Sequence, residues 1–121
     1  MGVGERNRAR RERFEALVLE ALDGLPEWVR TRLENVEVLV EDRPPPGEPN
    51  LLGRYEGIPL TERNAAYTFV LPDRISLFRS TLERGDPSDE ALRDRVRHTV
   101  VHEFAHYFGI SDDRLREIDR Y

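Results

Sequence analysis

The stretch from Asp86-Pro87-Ser88-Asp89-Glu90-Ala91-Leu92 through His102-Glu103-Phe104-Ala105-His106-Tyr107-Phe108-Gly109 decides how this chain is read. Leu92, Val96, Val100, Phe104 and Tyr107 recur every three or four residues, which lines one face of a long helix. Asp86 is the expected N-cap and Pro87 the first helical residue, while Asp89 and Glu90 complement the positive end of the helix dipole. Gly109 is expected to stop the helix just beyond Phe108.

Two histidines four residues apart on a helix share one face, about one turn from each other, where their imidazoles can hold one ion. His102 and His106 have that spacing. Glu103 lies roughly 100° round the helix from His102, so its carboxylate can reach a water at the ion without being a ligand itself. His-Glu-x-x-His on a helix is the pattern of a zinc-dependent hydrolase with Glu as general base. Here it is set among Val100, Val101, Phe104, Ala105 and Phe108. Imidazoles and a carboxylate in so apolar a stretch are costly without partners, and a metal ion is one partner. The chain has no cysteine, so nitrogen and oxygen must supply every ligand.

A catalytic zinc usually takes a third protein ligand. His98 continues the row, but it stands roughly 12 Å along the axis from His106 at about 1.5 Å per residue. One ion cannot span that, and His98 is expected beside the site or at the surface. Gly109 can adopt a positive φ and turn the chain back, which makes Asp112 the expected third ligand with Asp113 as the alternative. Both aspartates also suit the N-terminal turn of a last helix behind Ser111, a role compatible with ligation.

The rest of the chain supplies a body for this helix. Phe14, Leu17, Val18, Ala21, Leu22 and Leu25 form the apolar stripe of a first helix that Gly24 ends, and Pro26 opens a short second one with Val29 and Leu33 inward. Val36, Val38 and Val40 alternate as a strand. Four of the eight prolines fall within residues 42–50, an extended loop. The run Leu51-Leu52-Gly53-Arg54-Tyr55-Glu56-Gly57 suits either a short strand or a packed loop. Ala66 to Leu71 and Ile75 to Phe78 read as strands that pair as a hairpin through a turn at Pro72-Asp73. The expectation is one α+β domain over residues 1–121, a small sheet of three to four strands packed on the long histidine helix and an N-terminal helix.

Composition narrows the class further. The net charge is −5, so nucleic acid is not an expected partner. All 19 basic residues are Arg, and Arg6, Arg8, Arg10, Arg11 and Arg13 cluster near the start, where a solvated helix end explains them. No apolar run is long enough to span a bilayer and no signal peptide is visible, so a cytoplasmic protein with no membrane partner is expected.

Three segments carry a family resemblance. They are Leu51-Leu52-Gly53-Arg54-Tyr55-Glu56-Gly57, Asp73-Arg74-Ile75-Ser76-Leu77-Phe78, and His102-Glu103-Phe104-Ala105-His106-Tyr107-Phe108-Gly109-Ile110-Ser111-Asp112. The last resembles the elongated metzincin motif with Asp in place of the third His. Together they resemble a family of small bacterial minimal zincins, described as zinc metallopeptidases. The resemblance implies a compact α+β fold in which a small sheet backs the zinc helix, a Zn2+ cofactor and a peptide or protein substrate of unspecified sequence. Met1 is the only methionine, so the methionine turn of true metzincins is absent, and part of their substrate cleft is expected to be missing with it. Two functions follow as expectations: peptide hydrolysis with Glu103 as base, or a non-catalytic protein-binding module that zinc stabilises.

Overall fold

The computed structural model describes residues 2–57, 73–107, Gly109 and Asp113. Helix α1 spans Val3–Asp23, α2 Glu27–Leu33, strand β1 Val36–Glu41, β2 Gly53–Glu56, β3 Asp73–Phe78, the single turn α3 Arg79–Leu82, and the long helix α4 Asp89–Tyr107. The architecture is α+β, as the sequence implies, with three strands among the described residues in the order β1-β3-β2. β1 runs parallel to β3, Val36 opposite Asp73, and β2 runs antiparallel to it, Gly53 opposite Leu77. No helix among the described residues is long and apolar enough to cross a membrane.

The core forms where three apolar surfaces meet. α1 contributes Phe14, Leu17, Val18 and Ala21, β3 contributes Ile75 and Leu77, and α4 contributes Leu92, Val96, Val100, Val101 and Ala105. Removing these side chains from water is the main favourable term in the fold. Polar clamps set the angle of α1. Arg11 bonds the Val40 carbonyl at 2.8 Å and the Asp42 carboxylate at 2.8 Å, and Glu20 accepts from Arg93 of α4 at 2.8 Å. Arg13 pairs with Asp89 in the first turn of α4, and that hydrogen bond and charge raise the pKa of its guanidinium. These pairs are open to solvent, so they mainly fix orientation and add little to stability. Two of the five N-terminal arginines thus dock α1, while Arg6, Arg8 and Arg10 project into solvent.

Several local expectations need correction. The cap of α4 is Ser88, not Asp86: the Ser88 hydroxyl accepts from the Ala91 amide at 3.2 Å, and the Ser88 carbonyl takes the first helical bond from Leu92 at 2.8 Å. Asp86 has φ 50, outside the extended region an N-cap occupies, because Gly85 and Asp86 together make the left-handed reversal after α3. Asp73 is not a turn residue but the first residue of β3, pairing with Val36 and 7% exposed. The strand expected over 66–71, and with it the hairpin to residues 75–78, lies outside the described residues. So do the last helix expected from Ser111, apart from the helical Asp113, and the ligand candidate Asp112. Residues 75–78 form part of the central strand, paired on both sides, so they offer no free edge to a peptide.

Gly53 decides how the sheet meets α4. A Cβ built there would stand 2.9 Å from the Thr99 methyl and 2.9 Å from the Ser76 carbonyl oxygen. Only a residue without a side chain lets β2 lie this close to the helix. Gly53→Val should therefore cost about 1–3 kcal/mol, the usual range for overpacking. Urea unfolding of the two proteins measures it, and an unchanged midpoint would show that β2 is not pressed against Thr99.

Candidate metal centre

α4 is held at both ends, and this sets where its histidines sit. Arg95, in its first half, bonds the Leu82 and Arg84 carbonyls at 3.0 and 2.8 Å, at the end of the sheet where β3 finishes. In its second half, Phe104 is fully buried and meets Trp28 of α2 edge to face, ring centres 6.0 Å apart. α2 leads into the start of β1, which pairs with the start of β3, so α4 runs back across the sheet against the direction of β3. With Phe104 and Ala105 facing inward, His102 and Glu103 are half-buried and His106 is exposed at the rim.

The two imidazoles expected to share an ion are neighbours. His102 and His106 have ring centres 5.9 Å apart and planes at 77°. The Nδ1 atom of His102 is buried and has no hydrogen-bond partner. An unpartnered buried polar nitrogen costs about 1–3 kcal/mol, and ligation is one way a histidine recovers that cost. The paired imidazole nitrogens suit zinc, and the Glu103 carboxylate one residue from His102 is placed for a role beside the ion, not as a ligand. Beyond this pair, the described residues include no group of three or more His, Asp or Glu placed to hold a metal. Asp112 is outside the described residues, and Asp113 is helical and exposed. Gly109 has φ 71 and donates its amide to the His106 carbonyl at 3.1 Å, the reversal after the helix that the sequence anticipates.

His98 stands beside the site, one of the two places expected for it, but the tightness of its contact, 4.3 Å from the His102 ring with the planes at 38°, was not foreseen, and neither was one further feature. Its spacing of four residues from His102 carried the signal, which a test restricted to shared ligation passes over. The other feature is a buried carboxylate. Asp73 accepts a 3.0 Å hydrogen bond from the Tyr55 hydroxyl, linking the start of β3 to β2 at the end of the sheet toward which α4 carries His102. The β-strand periodicity of Tyr55 and the turn-like Pro72-Asp73 pair gave no sign of this bond, which depends on the register of β2 on β3.

The zincin-like metallopeptidase family matches residues 33–121, which takes in the whole sheet and α4 and leaves α1 and most of α2 before the match. Among solved structures, a conserved hypothetical protein from T. thermophilus is similar, with a TM-score of 0.55, 25% sequence identity, and coverage of 82% of this chain and 94% of that one. No curated protein matches. With the family match extending over more than half its length and including both histidines and Glu103, the chain belongs to the zincin-like metallopeptidases.

Proposed function

We propose that the protein hydrolyses peptide bonds, with a zinc ion held by His102, His106 and Asp112 and with Glu103 as general base. The observation that carries this reading is the His102–His106 pair, rings 5.9 Å apart with a buried unpartnered nitrogen, inside a family of metallopeptidase-like proteins. When bound, zinc supplies Lewis acidity, which makes a water nucleophilic near neutral pH and polarises the scissile carbonyl. Glu103 follows His102 directly on α4 and is half-buried, so its carboxylate is partly shielded from bulk water. It takes the proton of the attacking water and delivers it to the departing amine. β3 is closed on both sides, so an extended peptide would add instead to an outer edge of the sheet, β1 or β2 among the described strands.

The test is the full-length protein loaded with one equivalent of zinc and mixed with a peptide library, new N-termini being read by mass spectrometry. Cleavage that stops with chelator and returns with zinc supports the proposal. Stoichiometric zinc with no cleavage, and unfolding on chelation, would instead identify a zinc-stabilised binding module.

The third ligand can be assigned by substitution. Replacing residues that merely support a ligand lowers metal affinity about 10–100-fold, so Asp112→Asn should weaken zinc binding by more than about 100-fold. Asp113→Asn should change it by less than about threefold, because Asp113 is exposed. Competition with a chromophoric chelator measures both, and the reverse order of effects would transfer the role to Asp113.

A further inference from the structure

Three histidines stand in line on α4, and only two are used by the proposed chemistry. His98, His102 and His106 follow at intervals of four, and helical side chains lean toward the N-terminus, so each ring reaches back toward the one before it. The two steps of this row differ. From His106 to His102 the centres are 5.9 Å apart with the planes near perpendicular at 77°. From His102 to His98 they are 4.3 Å apart and tilted by 38°. Imidazoles that share one ion through bonds of about 2 Å keep their ring centres roughly 5 Å apart. The first step suits a shared ion. The second is tighter, two tilted rings packed closer than a shared ion would hold them.

A closely packed ring has a specific use here. The torsion that turns an imidazole about its own bond is broad, so a histidine does not orient itself. Ligating histidines are ordinarily aligned by a hydrogen bond from the nitrogen that does not bind the metal. His102 shows no hydrogen bond at either ring nitrogen among the described residues, so whichever nitrogen takes the ion, the other does not align the ring. Among the described residues, the ring packed most tightly against it is that of His98, 4.3 Å away.

We propose that His98 is a positioning residue for the metal centre: its imidazole packs against the His102 ring and fixes that plane for an ion shared with His106. This rests on the reading that His102 and His106 hold zinc. His98 acts through the area and flatness of its ring, and contributes no ligand.

The experiment compares full-length wild type with His98→Ala, His98→Gln and His98→Phe, and with His102→Ala as the ligand control. Zinc affinity is measured by chelator competition, the ligand set by the absorption of the cobalt(II) form, and the metal-free thermal midpoint checks the fold. Ala and Gln remove the ring and should weaken affinity by about two- to tenfold, the range expected for an aromatic pair. Phe restores a flat ring without nitrogen and should bind within about twofold of wild type. All three should keep the wild-type cobalt spectrum, whereas His102→Ala should lose it. Unchanged affinity in His98→Ala overturns the proposal. So does a loss in His98→Phe equal to that in His98→Ala, which would mean a hydrogen bond or a general structural role, or an altered cobalt spectrum in His98→Phe, which would make His98 a ligand. Wild type that takes up no stoichiometric metal fails differently: it removes the zinc site itself, and this role with it.

Discussion

Glu103→Gln should lower peptide hydrolysis by about 10²- to 10⁴-fold, the usual contribution of a general base, while zinc content and thermal midpoint stay at wild-type values. The substitution keeps the size and shape of the side chain and removes only its ability to take a proton. Nothing among the described residues uses the Glu103 carboxylate as a structural partner: it makes no hydrogen bond or ion pair there. The cost to stability should therefore stay within about 0.5 kcal/mol, as for other substitutions away from core and networks. Zinc should remain, because the proposed ligands are His102, His106 and Asp112. The measurement is kcat/KM on a cleaved peptide, with metal analysis on the same preparation. Equal cleavage by the two proteins would remove Glu103 from the mechanism, and loss of zinc with loss of activity would make it a ligand.

Phe104→Ala should destabilise the fold by about 3–5 kcal/mol, the range for removing a fully buried aromatic side chain. Phe104 is 0% exposed and meets Trp28 edge to face at 6.0 Å, so the change opens a cavity and breaks an aromatic pair. Domains of this size are stable by only about 5–15 kcal/mol, so a large share of the total would go. The same residue separates Glu103 from Ala105 and anchors the turn of α4 that carries both proposed histidine ligands. Metal affinity should therefore fall as well, although Phe104 touches no ion. Trp28 is the only tryptophan, so its fluorescence reports on this contact directly during urea unfolding. A loss below about 1 kcal/mol would mean that the Trp28–Phe104 contact does not hold α4 in place.

These effects concern the part of the molecule that is most readable from local rules. The α4 stripe, the shared face of His102 and His106 and the reversal at Gly109 follow from a period of 3.6, one helical turn and a residue tolerant of positive φ. The cap of α4 is not readable in this way, because Asp86 and Ser88 are chemically equivalent candidates. What separates them is the left-handed Gly85-Asp86 bend, set by the need to return the chain from α3 across the sheet. β2 is ambiguous in the sequence because four residues are too few to show a period. Its strand character comes from pairing with β3, and its position from the bare Gly53 pressed against Thr99.

By itself, the sequence determined the α+β class, the absence of any thiolate donor, and the placing of His102 and His106 on one helix with Glu103 beside His102. These depend on residue type and on spacing within single elements. Only the tertiary structure decided that β3 is the central strand, that Asp73 is buried with the Tyr55 hydroxyl bonded to it, and that the His98 ring lies tilted 4.3 Å from that of His102. Strand order and the Tyr55–Asp73 bond join residues far apart in the chain, and their energy appears only once helix and sheet have packed. The ring contact is local in spacing, but helical periodicity alone allows rings that pack together and rings that splay apart, and side-chain packing at this helix selects the first.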